Sequence, residues 1–167
     1  MVLYDCDPSS RAKVPTRLLE GFQGYLMTDG YDGYKPIAGS AGVEWLACRA
    51  HVRRRFVDAV RAQPKGKRGR ADAAVSLIGK LYRIERENKD ATPEVRHLAR
   101  QRLGVPALSE LHVWMLKNQP LVTPKCSLGW PWRHMGNLWP QLPRYIERGD
   151  LPIDRNRCKN TIRPASL

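Results

Sequence analysis

The chain has 167 residues, enough for one ordinary domain or a small domain carrying an insertion, and its 42% hydrophobic content supports a modest core. Its 29 Lys and Arg outnumber 16 Asp and Glu, and the resulting formal charge of +13 is more than solubility requires. That excess favours a polyanion, nucleic acid first, over a neutral or acidic partner. The sequence has no signal-peptide pattern and no apolar run of transmembrane length. Cys6, Cys48, Cys126 and Cys158 form no C-x-x-C pair and read as reduced thiols, so a cytoplasmic location without a membrane partner is expected.

The first elements alternate in type. "VLYDC" opens the chain as a short β-type run, as though cut into a larger fold. "VPTRLLEGF" predicts a helix, with Pro15 near its start and Leu18, Leu19 and Phe22 on one face. "GYLMTD" predicts a second strand that ends on Asp29, where "DGYDGY" forces a turn, and "VEWLAC" a third strand over 43–48. Short strands separated by helical patterns predict an α/β sheet with parallel crossovers.

After Cys48 the character changes to α. "RAHVRRRFVDAVRAQ" is a basic amphipathic helix with Val52, Phe56, Val57 and Val60 on one side. The connector "PKGKRGR" leads to a helix that places Ala74, Leu77, Ile78 and Leu81 at i, i+3, i+4, i+7, with Arg83–Glu87 and Glu85–Lys89 as supporting pairs. A further helix starts near Pro93. "PALSELHVWMLKN" then begins at Pro106 and is expected to bury Leu108, Leu111, Met115 and Leu116. Residues 127–149 keep helical spacing at Leu138, Leu142, Tyr145 and Ile146 but contain Pro131, Pro140 and Pro143. An interior proline costs a helix roughly 3 kcal/mol, so this stretch is expected in broken pieces. Near the end, Asp154 is placed to cap a polar helical run.

Three groups of residues could carry chemistry. Asp29, at a strand end, either binds a divalent metal through oxygen or simply opens an Asp–Gly turn. Cys48 and His51 have the spacing of half a zinc site, without a second pair at a suitable distance; a buried thiol and a histidine in a helix start suit them as well. Arg53, Arg54 and Arg55, with Lys65, Lys67, Arg68 and Arg70 of the connector, are phosphate contacts or a solvated face. The third group is the terminal "LPIDRNRCKNTIRP".

Together, "LLEGFQGYLMTDGYDGY", "CRAHVRRRF", "IGKLYRIERE" and "LPIDRNRCKNTIRP" occur in an order and spacing that resemble the transposases of the insertion sequence 66 family. The resemblance covers nearly the whole chain. It implies an RNase H-like catalytic domain (residues 1–48), a mostly helical insertion (49–150) and the start of a terminal catalytic helix (151–167). Such enzymes hold two metal ions, Mg²⁺ by expectation, on two Asp and one Glu, and so cut and join DNA ends. The resemblance matches Asp29 to the second Asp, Cys48 and His51 to the family's Cys-x-x-His motif, and "GYLMTD" and "VEWLAC" to neighbouring parallel strands.

Departures accompany the matches. The family's final motif reads like N-N-x-x-E-N-x-I-R-P; Asn156, Asn160, Ile162, Arg163 and Pro164 follow it, while Arg155 replaces its first Asn and Lys159 its Glu. A protonated lysine repels a cation: two unit charges about 4 Å apart interact by about 4 kcal/mol at an effective dielectric near 20. The strand that carries the first Asp has no counterpart. The resemblance therefore implies a truncated, catalytically inactive transposase fragment, with DNA, an intact transposase or further copies of itself as partners. Arg163 joins the arginine cluster as a DNA contact on this reading. The alternatives are a non-catalytic DNA-binding remnant and, without the resemblance, a small basic helical protein of ribosomal or nucleoid type.

Overall fold

The computed structural model describes residues 13–156 except Lys65 and Lys67, with side chains from Thr16 onward. The predicted strand "VLYDC" lies outside the described residues, as do Lys159, Asn160 and Arg163. The elements in order are α1 (Lys13–Leu18), β1 (Gly24–Thr28), α2 (Lys35–Ala38), β2 (Val43–Ala47), α3 (Arg49–Arg61), α4 (Arg70–Glu87), α5 (Pro93–Ala99), α6 (Val105–Asn118) and α7 (Gly129–Asn137). A small parallel sheet and a mainly helical remainder agree with α/β followed by α.

The chain forms two compact units, one of Met1–Cys48 with Asp154–Leu167 and one of Arg49–Ile153. In the first, β1 and β2 pair in parallel, Gly24 opposite Val43 and Thr28 opposite Ala47. Parallel neighbours need a crossover of a dozen or more residues, and 29–42 supply it, with α2 and a 3₁₀ turn at Asp32–Tyr34. Gly24 and Gly42 enter the strands at φ of +115° and +82°, where a β-carbon would be strained, and Gly24 N–H donates to Gly42 O at 2.8 Å. Val43, Leu46 and Ala47 of β2 are buried, Val43 and Ala47 on one face of the sheet and Leu46 on the other. The α1 helix is shorter than its apolar spacing suggests: it stops at Leu18, which is 40% exposed.

In the second unit α3 packs on α4 and α7, and α4 packs on α6. Val52, Phe56 and Ala59 face this core from α3, with Val57 and Val60 only partly covered. From α4 come Ala74, Leu77, Ile78 and Leu81, as the spacing predicts. Asp72 fixes the start of α4 by accepting the Gly69 N–H at 2.8 Å, and Thr92 caps α5 by accepting from Val95 N–H. Two expectations fail. Leu116 does not join Leu108, Leu111 and Met115 but stands 52% exposed, because the buried stripe of α6 is narrower than the run of apolar residues. Glu85 does not pair with Lys89; it turns inward to Arg100, and Lys89 lies beside Asp90 at 3.8 Å.

The proline-rich stretch folds as expected, in pieces: α7, then 3₁₀ turns at Trp139–Gln141 and Pro143–Glu147. A broken helix leaves carbonyls without partners, and buried ones must be satisfied. Arginines do this here. Arg100, in a π-helical turn over Arg100–Gly104, donates to the carbonyls of Tyr145 (2.7 Å), Leu151 (2.8 Å) and Arg148, and holds Glu85 through Nε and Nη2 at 2.9 and 2.7 Å. Arg96 reaches Gly149 O at 3.1 Å, and the buried Arg49 reaches Leu142 O at 2.7 Å. The guanidiniums of Arg49 and Arg100 lie 4.5 and 4.9 Å from the centre of the Tyr145 ring, whose burial pushes its phenol pKa up. The ends of this unit meet where Arg49 N–H donates to Ile153 O at 3.3 Å.

Candidate functional site

Asp29 follows directly on the last residue of β1, where a hydroxyl organises the strand end. Thr28 is 1% exposed, and its Oγ1 accepts from Trp45 Nε1 at 2.8 Å and from Gly30 N–H at 3.2 Å. Its carbonyl accepts from Cys48 N–H at 2.7 Å, which extends the pairing one residue past the strands. The Asp29 carboxylate itself takes the Tyr31 N–H on Oδ1 at 3.2 Å, as an Asp–Gly turn does. Its other oxygen, Oδ2, accepts from Arg155 Nη2 at 2.7 Å, with both side chains about a quarter exposed.

Arg155 therefore lies against the carboxylate that sequence reasoning assigned to a metal. It is delivered by a turn in which Asp154 accepts from the Asn156 N–H and from Asn156 Nδ2, both at 2.9 Å. The turn holds Asn156 as Asp154's partner rather than Asp29's. A divalent ion such as Mg²⁺ needs several oxygen ligands converging on one point. Among the described residues no three His, Cys, Asp or Glu side chains converge, and the one candidate carboxylate is engaged by a guanidinium. These residues do not fit a two-metal centre. Sequence reasoning recorded Arg155 as a departure from the motif but missed its partner; the signal was the arrival of a cation at a motif position expected beside a carboxylate.

Cys48 closes β2 with a fully buried thiol, and His51 is a half-buried residue in the first turn of α3. Among the described residues neither belongs to a cluster of three or more His, Cys, Asp or Glu.

The basic residues divide into two populations. Of the 29 Lys and Arg in the sequence, 21 lie between positions 49 and 153, against nine of the 16 acidic residues, so nearly all the net charge belongs to the helical unit. Arg49, Arg96 and Arg100 are turned inward on carbonyls. Arg53, Arg54 and Arg55 are exposed on α3, and no acidic side chain among the described residues pairs with them. Arg68 is exposed as well, and Arg70 donates to Asn118 Oδ1 at 3.2 Å. Arg55 lies over the ring of Trp130, 4.3 Å from its centre, a residue the sequence did not single out. No helix among the described residues is long and apolar enough to cross a membrane.

The family model described as Transposase IS66 family matches residues 1–167. The chain is 28% identical over 170 residues to the uncharacterized protein y4jD of Sinorhizobium fredii (strain NBRC 101917 / NGR234), covering 98% of this chain and 33% of that protein. It is 25% identical over 178 residues to y4hP of the same strain, covering 99% of this chain and 32% of that protein. The chain thus spans about a third of the length of these relatives. No solved structure matches it.

Proposed function

Because the chain belongs to the Transposase IS66 family, we propose that it is a section of a DNA transposase that holds DNA but does not cut it. Membership in this family implies DNA as partner, and family members of this type generally use divalent metal to cut and join DNA ends. The observation that carries the inactive reading is the Asp29–Arg155 ion pair at 2.7 Å. A fixed guanidinium supplies the positive charge at this carboxylate without offering a nucleophile or a Lewis acid. In the sequence, Lys159 also stands at the motif position of the glutamate, a basic residue in place of an acid.

The parallel pairing of β1 and β2 supports an RNase H-like origin for the first unit, and the meeting ends of the second unit support the helical insertion expected over 49–150. The exposed arginines of α3 support DNA binding. Supercoiled plasmid incubated with the purified chain and Mg²⁺ or Mn²⁺ tests the reading. The expected outcome is a salt-sensitive mobility shift with no nicked product. Metal-dependent nicking that disappears in Asp29→Ala would sink it.

A further inference from the structure

Trp130 is not accounted for by core packing. Two residues on, Trp132 is 6% exposed and packs against Phe56 and Trp114, with ring centres 6.4 and 5.1 Å apart. Trp130, by contrast, is 42% exposed on α7. His134, one helical turn along, stacks on it at 4.8 Å with the planes 12° apart, and the Arg55 guanidinium covers the ring at 4.3 Å. Arg53 and Arg54 precede Arg55 on α3, and Arg133 adjoins His134; all three are exposed and have no acidic partner among the described residues.

This face combines flat, nearly parallel rings with uncompensated arginines. Arginines alone suit any polyanion. A base reaches this stack at its His134 end or by taking the place of the Arg55 guanidinium over Trp130. In a duplex the base faces are covered by their neighbours, so a duplex engages the arginines and leaves the rings idle. An acidic peptide does the same. An unpaired base engages both, its π-face continuing the aromatic stack while its phosphates meet the guanidiniums.

We propose that the Arg55–Trp130–His134 stack is a binding platform for an unpaired DNA base, with Arg53, Arg54 and Arg133 holding the adjoining phosphates. The proposal rests on the DNA-binding reading above and narrows it from DNA in general to single-stranded DNA. Titration of the whole chain with an oligothymidylate, and with a duplex of equal length, by fluorescence anisotropy tests it. Trp130→Leu is expected to weaken oligothymidylate binding by about 5- to 150-fold, the range that one base–aromatic stack supplies, and to leave duplex binding within about twofold. Trp130→Phe, which keeps a ring, is expected to recover most of the loss. If Trp130→Leu loses its helical circular dichroism, His134→Leu takes its place and the same comparison decides. No loss, or equal loss on both probes by a folded variant, would overturn the stacking platform while leaving DNA binding intact. Absence of salt-sensitive binding of either probe to the parent would overturn both readings.

Discussion

The proline-broken segment around Tyr145 and the open face of α3 use the same side chain in opposite ways. At the first, Arg49 and Arg100 are 2% and 1% exposed and their guanidiniums are occupied by backbone carbonyls, Glu85 and the Tyr145 ring. At the second, Arg53 and Arg54 stand in solvent, and no acidic side chain among the described residues is paired with them. A positive net charge is therefore an incomplete guide to nucleic-acid binding. Part of it pairs backbone carbonyls of the irregular segment between Leu142 and Leu151, and only the rest is open to phosphate.

The contrast can be broken most forcefully at Glu85. Glu85→Ala leaves Arg100 buried without its carboxylate and is expected to cost about 3–5 kcal/mol of unfolding free energy in urea denaturation. Arg53→Ala, on the open face, is expected to change stability by no more than about 0.5 kcal/mol. The same open residues are expected to dominate DNA binding: Arg53→Ala with Arg54→Ala lowers the slope of log affinity against log salt by about 2, read from anisotropy titrations. If that slope is unchanged, these arginines do not meet phosphate.

The first unit gives a smaller effect. Thr28→Val removes the hydroxyl that accepts from Trp45 Nε1 and Gly30 N–H, with an expected loss of about 1–2 kcal/mol in the same denaturation measurement. Arg155→Ala is expected to cost about 1 kcal/mol or less, as a partly exposed ion pair does. A larger loss would mean that the pair is a structural fastening rather than a neutralised site.

Local patterns were readable in the sequence and distant pairings were not. The strand end just before Asp29 follows from an apolar run that stops at "TDG", and the buried face of α4 follows from helical spacing. The breaks at Pro140 and Pro143 were equally local, whereas Pro131 is accommodated in the first turn of α7. Leu116 misled because an apolar residue beside a buried stripe has the same helical phase whether or not another element covers it. Glu85 misled because a helix offers Lys89 one turn away, while the partner that wins, Arg100, is set by tertiary packing. The Asp29–Arg155 pair joins positions 126 residues apart, and no periodicity links them. Trp130 was hidden for a related reason: its Arg55 neighbour lies on another helix.

The central claim is the proposal that Arg155, paired with Asp29, takes the place of a metal ion there. Titrating Mn²⁺ into the chain, with free Mn²⁺ followed by electron paramagnetic resonance, tests it most directly. The expected result is a free-ion signal that rises in proportion to added Mn²⁺ and is the same for the parent and for Asp29→Ala. Stoichiometric loss of that signal with the parent, restored by Asp29→Ala, would contradict the claim.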